Sequence, residues 1–172
     1  MHNFKSSDIR VFRNVFSQEH LEAISVLLER PQWRYGHVSG KANLNAPPFW
    51  MMHLGRDKLF TETLLQPIRE ATGDDFKVTS VYANGQTYGL GGQPHVDAYD
   101  ERGRTFLFYA NTGWDVRWNG KTCFLFDNGP VWVTPEINKA VYFPGQIQHF
   151  AEETTRTFGG LRKTVAWKLE LV

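Results

Sequence analysis

The sequence is poor in cysteine and has almost no excess of charge of either sign. Its single cysteine, Cys123, excludes an intrachain disulfide framework and favours a reducing compartment, so we expect a cytoplasmic protein. The 19 basic and 18 acidic residues are interspersed and give a formal net charge of +1. Because nucleic-acid binding normally needs a basic stripe, we expect no nucleic-acid partner.

Long apolar runs and internal repeats are also missing. No apolar run is long enough to span a bilayer, and residues 1–13 carry scattered charges instead of the apolar centre of a signal peptide. We therefore expect no membrane partner. The lack of repeats and heptads argues against solenoid and coiled-coil folds, and 172 residues suit a single domain, 1–172.

Two amphipathic helices are predicted in the N-terminal part of the chain. Apolar residues recur at helical spacing over about 18–30, where Ser17 is the expected N-cap. The same spacing predicts a second helix over about 57–71, which Pro67 would kink or divide. Between them, residues 32–54 are rich in aromatic residues and interrupted by glycine and proline, which predicts short strands joined by an irregular loop.

From about residue 76 the pattern changes to short β-type runs bounded by turns. The predicted strands are 76–82, 105–111, 122–126, 131–134, 140–143 and 161–171. Helices followed by many short strands indicate an α+β fold. We expect a helical buttress over about 1–75 and an antiparallel double sheet or barrel over about 76–172, with a jelly roll as the favoured candidate.

The tripeptide His95-Val96-Asp97 is the main signal of chemistry. Side chains two residues apart in an extended segment point to the same face, so His95 and Asp97 can bind one metal ion. A distant third ligand would complete a 2-His-1-carboxylate set, which is typical of non-haem Fe(II) sites with open positions. The lack of thiolate ligands favours iron over structural zinc. The alternative is a turn in which Asp97 accepts backbone hydrogen bonds.

His149 is the candidate third ligand. It lies 52 residues after Asp97 and follows Pro144 and Gly145, which predict a turn that can direct a side chain inward. Taken alone, a histidine is more often a hydrogen-bonded structural residue. Its position after a paired histidine and aspartate favours the metal-ligand interpretation.

Arg162 and Thr164 are the candidate anion-binding pair. Both lie in the last predicted strand, where alternation places them on one face. A guanidinium pairs bidentately with a carboxylate, and the Thr164 hydroxyl could add a hydrogen bond. Arg156 competes for the same role, although its polar neighbours indicate a solvated side chain. An ordinary arginine on an edge strand is the other alternative.

These residues resemble the Fe(II)- and 2-oxoglutarate-dependent oxygenases of prolyl-hydroxylase type. The likeness is to the hypoxia-sensing prolyl hydroxylases and their bacterial and viral relatives, and it covers about residues 81–168. The matching motifs are His95-Val96-Asp97, Gly103-Arg104, Tyr109-Ala110-Asn111, Trp114-Asp115, His149 and Arg162-Lys163-Thr164. The resemblance implies a double-stranded β-helix.

The resemblance also implies roles for individual residues. His95, Asp97 and His149 would hold iron and form the catalytic centre, and Arg162 would bind the distal carboxylate of 2-oxoglutarate. Tyr82 and Tyr109 fall where the family places tyrosines that contact this cosubstrate.

Three features depart from those relatives. Lys121 stands where they commonly carry a second glycine. The segment Gly89-Leu90-Gly91-Gly92 lengthens the chain before the histidine-aspartate motif, so Tyr88 could replace Tyr82 in the site. Arg162 lies five residues before Trp167 instead of the usual six, so we expect a bulge or local shift to turn it towards the site.

The activity implied by the resemblance is hydroxylation of an unactivated C–H bond. O2 and 2-oxoglutarate would be cosubstrates, succinate and CO2 would be products, and ascorbate is a candidate reductant. A prolyl residue of a protein or peptide is the favoured substrate. We expect one or two aromatic residues to contact it and most to pack in the core; the candidates are Trp33, Tyr35, Trp50, Trp114, Trp118 and Trp132. A free amino acid or other small molecule is the alternative, with residues 36–48 as a lid.

Two other classes of protein stay open. A non-catalytic β-barrel module could hold a metal or an acidic ligand in the same pocket without turnover, although the intact ligand set argues against it. A zinc hydrolase would need a general base near a metal-bound water, and His53 and Glu136 are candidates without further support.

Overall fold

The computed structural model describes residues 4–39 and 46–172. The α-helices in these ranges are α1 (Gln18–Leu28) and α2 (Leu65–Thr72). The strands are β1 (Arg10–Arg13), β2 (Arg34–His37), β3 (Phe49–His53), β4 (Phe76–Gln86), β5 (Gly103–Tyr109), β6 (Thr122–Phe124), β7 (Val131–Val133), β8 (Lys139–Pro144), β9 (His149–Ala151) and β10 (Arg162–Leu171). Among the described helices, none has the length and apolar character needed to cross a membrane.

The strands form two antiparallel sheets. The larger sheet has the order β1-β8-β5-β10-β4-β3-β2, and the smaller has the order β7-β6-β9. A cluster of buried side chains from both sheets fills the space between them, and it includes Leu107, Phe124, Val141, Phe143 and Ala166. Mostly antiparallel strands with few helices confirm the predicted α+β fold of the jelly-roll type.

Helix α1 covers the outer face of the larger sheet. Its N-cap is Ser17, as predicted, and the Ser17 hydroxyl accepts a hydrogen bond from the His20 backbone N–H at 3.2 Å. The apolar stripe of the helix, with Ile24 and Leu28, is buried in the same cluster as Trp167 of β10. The helix thereby fixes the back of the strand that carries the candidate anion-binding residues.

The second predicted helix is divided, but not at Pro67. A π-helical turn (Leu59–Thr63) precedes α2, so the division lies at Leu64. Pro67 falls in the first turn of α2, where a backbone N–H would have no partner inside the helix, and its ring therefore costs no hydrogen bond. Gly73 ends the helix with a left-handed φ of 71°.

The N-terminal half contributes strands as well as helices. Strand β1 pairs with β8, and β2 and β3 extend the larger sheet beyond β4. The short strands predicted within 32–54 correspond to β2 and β3. Strand β1 was not predicted, because four residues are too few to show an alternating pattern.

Strand β10 presents different residues to the two sides of the larger sheet. Val165, Trp167 and Leu169 are buried with the helices. Arg162, Thr164, Ala166 and Lys168 alternate with them and line the space that faces the smaller sheet. The site described below is built on this second face.

Candidate metal centre

His95, Asp97 and His149 meet in the space between the two sheets. Each offers one ligand atom, and these atoms all lie within 4.8 Å of one another. His95 Nε2 is 3.5 Å from Asp97 Oδ1, and His149 Nε2 is 3.4 Å from Asp97 Oδ2. The structure therefore brings together the three residues that the sequence suggested as ligands, in an arrangement that one ion can bridge.

Backbone hydrogen bonds join the two segments that carry these ligands. The His95 N–H donates to the His149 carbonyl at 3.0 Å, and the His149 N–H donates back to the His95 carbonyl at 2.9 Å. The Asp97 N–H donates to the Gly145 carbonyl at 2.7 Å. The loop with the histidine-aspartate pair is thus attached to the turn before β9 and to the first residue of that strand.

The outer nitrogen of each imidazole is held by a backbone carbonyl. His95 Nδ1 lies 2.8 Å from the Gln93 oxygen, and His149 Nδ1 lies 2.9 Å from the Ile147 oxygen. A carbonyl can only accept, so each Nδ1 carries a proton and each Nε2 is free to bind a metal. Burial lowers the pKa of His149 to about 4, which keeps this imidazole neutral at physiological pH.

Asp97 is ionised in spite of its burial. Burial alone would raise the pKa of its carboxyl group, but the positive charge of Lys168, the interaction with His149 and hydrogen bonds from His95 and Lys168 hold that pKa well below its usual range. The Thr105 hydroxyl donates to Asp97 Oδ2 at 2.7 Å. The carboxylate is therefore charged and oriented before any ion binds.

Lys168 is a site residue that the sequence analysis did not identify. Its ammonium group forms a salt bridge with Asp97 Oδ2, lies 3.4 Å from Thr105 Oγ1, and is 5.7 Å from the centroid of the Tyr82 ring. Burial would lower the pKa of Lys168, but the charge of Asp97 and its contact with Tyr82 raise it. A signal was available, because alternation along β10 places Lys168 on the same face as Arg162.

Arg162 is buried in the same space and is 2% exposed. Its Nε donates to the Gly120 carbonyl at 2.6 Å, its Nη1 to Gln86 Oε1 at 2.7 Å, and its Nη2 to Thr122 Oγ1 at 3.4 Å. All three partners are neutral, and no described carboxylate forms a salt bridge with the guanidinium. Burial lowers the pKa of Arg162. A buried cation with only neutral partners is energetically costly, and an anion would compensate its charge.

The prediction of a bulge or local shift between Arg162 and Trp167 is wrong. Pairing of β10 with β4 is regular from Arg162 to Lys168, and the register shifts only between Lys168 and Leu169. An odd separation of five residues places Arg162 and Trp167 on opposite faces of the strand. The residue that shares the site face, six positions after Arg162, is Lys168.

A narrow cavity of about 50 Å³ connects the metal ligands to Arg162. Thr164, which is 1% exposed, lies along it, and so does Asn84, whose buried Oδ1 has no hydrogen-bond partner. The three hydrogen bonds of Arg162 use one N–H on each guanidinium nitrogen, so an N–H on Nη1 and one on Nη2 are left for an anion. The neutral surroundings of the arginine fit a negatively charged ligand between Arg162 and the metal ligands, whereas Asn84 Oδ1 can only accept and would need a donor.

The three candidate tyrosines lie in different environments. Tyr82 lines the cavity. Tyr109 is buried behind it, and its hydroxyl is hydrogen-bonded to Thr122 Oγ1 at 2.8 Å and to the Val133 carbonyl at 3.2 Å. Tyr109 therefore reaches the cavity through Thr122, which also contacts Arg162. Tyr88 is 58% exposed and does not line the cavity.

The competing candidates lie outside the cavity. Arg156 is exposed. Glu136 is paired with Arg13 at 2.9 Å and with Lys139 at 2.5 Å, so its carboxylate is already neutralised far from the metal ligands. His53 lies in a neighbouring groove.

The tryptophans also lie outside the cavity. Trp114 and Trp118 pack against Phe158, with ring centroids 4.9 and 5.0 Å from it, and Trp132 is 45% exposed. Of the proposed lid, residues 36–48, the middle part, residues 40–45, lies outside the described residues.

No family model matches the sequence, and no curated protein matches it at the sequence level. Similar solved structures do exist. A prolyl-4-hydroxylase from Pseudomonas putida has a TM-score of 0.71 and 15% identity, over 95% of this chain and 92% of its own. A prolyl hydroxylase from Trichoplax adhaerens, in complex with a hypoxia inducible factor oxygen degradation domain peptide fragment, has a TM-score of 0.68 and 15% identity, over 96% and 84%.

A third similar structure has a different chemistry. The non-heme alpha ketoglutarate dependent carbocyclase SnoK from nogalamycin biosynthesis has a TM-score of 0.69 and 12% identity, over 95% of this chain and 79% of its own. At such low identities, the three similarities show that this chain has the same fold as these enzymes. The chemistry of this chain follows from its own residues and not from these similarities.

Proposed function

We propose that this protein is an Fe(II)- and 2-oxoglutarate-dependent dioxygenase that hydroxylates an unactivated C–H bond, with a prolyl residue of a protein or peptide as the favoured substrate. The observation that carries the proposal is the content of one buried cavity. Ligand atoms of two histidines and an ionised aspartate lie within 4.8 Å of one another, and the same cavity reaches a buried arginine that forms no salt bridge with any described carboxylate. The oxygenase fold of the similar structures supports it.

The donor set fits iron. His95 Nε2, His149 Nε2 and one oxygen of Asp97 would hold the ion and leave the remaining positions open, as in other 2-His-1-carboxylate sites. Bound Fe(II), with 2-oxoglutarate and O2, would supply the oxidising chemistry, and succinate and CO2 would be released. Thr105 and Lys168 occupy Asp97 Oδ2, which leaves Oδ1 as the oxygen for the ion.

Arg162 and the residues around it fit the cosubstrate. The guanidinium would bind the distal carboxylate of 2-oxoglutarate through its remaining N–H donors, and Thr164 would line the path to the metal ligands. Thr122 accepts a hydrogen bond from the guanidinium, and the Tyr109 hydroxyl is hydrogen-bonded to Thr122. Since Arg162 and Thr164 are 2% and 1% exposed, the bound carboxylate would be shielded from water.

The test is release of succinate from 2-oxoglutarate with Fe(II) and ascorbate present, first without and then with candidate prime substrates. We expect slow uncoupled release from the native protein and none from His95→Ala, Asp97→Ala or His149→Ala. The matched control is Asp127→Ala, which removes an exposed carboxylate and should retain the native rate. Full turnover in any of the three ligand variants would refute the metal assignment.

A small-molecule substrate is the second candidate, supported by the shared fold of a carbocyclase. Screening proline-containing peptides and free amino acids, followed by mass analysis for one added oxygen, separates the two. A protein that binds metal and 2-oxoglutarate but releases no succinate under any condition would instead be a binding module.

A further inference from the structure

A groove of about 980 Å³ lies beside the metal cavity, on the part of the larger sheet formed by β4, β3 and β2. Its lining includes Trp33, Arg34, His53, Arg56, Thr79 and Ser80, and it contains no aspartate or glutamate among the described residues. We call this feature the basic groove. In a chain whose net charge is only +1, a wall without any acidic residue is a local excess of positive charge.

The two arginines of the basic groove have no partners. Arg34 and Arg56 are exposed, and neither forms a hydrogen bond or a salt bridge with any described residue. Several other exposed arginines are paired, for example Arg13 with Glu136 and Arg102 with Glu170, although Arg156 is not. Both guanidinium groups therefore keep their full capacity to bind carboxylates.

The basic groove and the metal cavity are neighbours on the larger sheet. His53 is paired with Tyr82 in the β3–β4 ladder, and Ser80 is paired with Lys168 in the β4–β10 ladder. His53 and Ser80 line the groove, and Tyr82 and Lys168 line the cavity, so residues of the two features lie on adjacent strands.

The pKa of His37 is affected by residues of both the basic groove and the metal cavity. Its ring centroid lies 5.8 Å from that of Tyr82. Burial, followed by the charges of His53, His95 and Lys168, lowers the pKa of His37. His53 belongs to the groove, and the other two residues belong to the cavity.

The strand pairing gives the distance from the metal cavity to Arg34. Arg34 pairs with Met51, Met51 with Asn84 and Asn84 with Thr164, so one row crosses the sheet from Thr164 in the metal cavity to Arg34 on β2. Three spacings of about 4.8 Å make a distance of about 14 Å, and an extended peptide covers that distance in about four residues at about 3.3 Å each. A free amino acid at the metal centre is too short to reach Arg34.

We propose that the basic groove binds an acidic segment of a polypeptide substrate, with an aspartate or glutamate about four residues away from the residue presented to the metal. This inference rests on the proposed function and specifies its substrate. A nucleic acid is disfavoured, because two arginines are a small footprint and acidic and basic residues alternate over the rest of the chain.

The experiment measures binding separately from turnover. Labelled proline-centred peptides of eleven residues carry one aspartate two, four or five positions from the proline, on either side, and matched peptides carry lysine or alanine there. Their affinity for the Mn(II)-loaded protein is measured by fluorescence anisotropy without 2-oxoglutarate. We expect the aspartate peptide with a spacing of four to bind about tenfold more tightly than its lysine counterpart, the order of magnitude for two exposed charge pairs.

Substitutions in the groove test whether Arg34 and Arg56 cause the preference for aspartate peptides. The double variant Arg34→Glu/Arg56→Glu should lose the preference for aspartate and acquire one for lysine. Arg156→Glu is the matched control, because Arg156 is an exposed, unpaired arginine that does not line the groove, and it should retain the native preference. Equal affinity for aspartate and lysine peptides would overturn the proposal, and so would a preference that survives in the double variant.

The same materials separate this inference from the proposed function. An aspartate preference that depends on Arg34 and Arg56, without any oxygen transfer, would support the groove and count against the dioxygenase. Oxygen transfer to peptides without any charge preference would support the dioxygenase and count against the groove. A single-stranded oligonucleotide is added as a competitor, and tighter Arg34-dependent binding of this probe than of the acidic peptides would overturn the peptide assignment.

Discussion

The ammonium group of Lys168 forms a salt bridge with Asp97, the one carboxylate among the three candidate metal ligands. The same oxygen, Oδ2, accepts a hydrogen bond from Thr105. The lysine therefore neutralises the ligand set before an ion arrives and repels a cation once it has arrived. The centre is built to bind its metal less tightly than three ligands of this kind would alone.

Lys168→Met should strengthen metal binding. The substitution removes the repelling charge and preserves most of the side-chain volume, and Thr105 still orients the carboxylate. We expect the Mn(II) affinity to rise at least about tenfold, since a charge a few ångströms away at the effective dielectric of a protein is worth more than 1.4 kcal/mol. Calorimetric titration measures this. Lys168→Arg retains the charge and is the control, and unchanged or weaker binding by Lys168→Met would contradict the prediction.

Removing the charge of Asp97 should destabilise the metal-free protein through Lys168. In Asp97→Asn, the ammonium group remains 17% exposed without a counter-charge, which costs about 3–5 kcal/mol for a buried pair. The double variant Asp97→Asn/Lys168→Met has no unpaired charge and should recover most of the loss. Urea unfolding of the four proteins, with a metal chelator present, measures the coupling. Additive losses would show that the two residues are not coupled.

Arg162→Ala should weaken the binding of 2-oxoglutarate far more than the binding of the metal. Loss of a buried partner of a carboxylate costs about 2–5 kcal/mol, so the KM for 2-oxoglutarate should rise about 30-fold or more, while Mn(II) affinity stays near its native value. Arg156→Ala is the matched control. Because the guanidinium also holds the Gly120 carbonyl, thermal melting must first show that the variant is folded. An unchanged KM in a folded variant would contradict the assignment.

Alkaline pH should destabilise the protein through two buried acids. Burial raises the pKa of Cys123 from 9.0 to about 11 and that of Tyr109 from 10.0 to about 12. A raised pKa favours the protonated, folded state, so this stabilisation is complete below pH 9 and is lost as the pH rises towards 12. Urea midpoints at pH 8.5 and 11 measure the loss. Cys123→Ala should lose less than the native protein, and equal losses would contradict the role of the thiol.

The pairing of His95 with Asp97 and of Arg162 with Thr164 could be predicted because each depends on a short-range rule. Two residues of one extended segment share a face, and Arg162 and Thr164 share a face of β10 for the same reason. The same rule places Lys168 on that face. A lysine side chain is normally solvated, however, and only the fold shows that Asp97 lies opposite it.

The parts that could not be predicted depend on long-range contacts. Strand β9 (His149–Ala151) has three residues, too few to show periodicity, and it exists because β6 and the His95 bridge supply its hydrogen bonds. The position of the Tyr109 hydroxyl is set by Thr122 and Val133 on the opposite sheet. The basic groove depends on the order of β10, β4, β3 and β2, which follows from packing and not from any local pattern.

Strand β10 joins β5 to β4 at the middle of the larger sheet, yet it follows the other nine strands in chain order. In a chain synthesised from its N-terminus, the strands on both sides therefore leave the ribosome before the strand that connects them. Until Arg162–Leu171 arrives, β5 and β4 expose unpaired backbone groups and apolar side chains, which favour association with other chains. Nascent chains halted before Arg162 should thus depend on chaperones, and tags or fusions that delay this segment should lower the yield of folded protein.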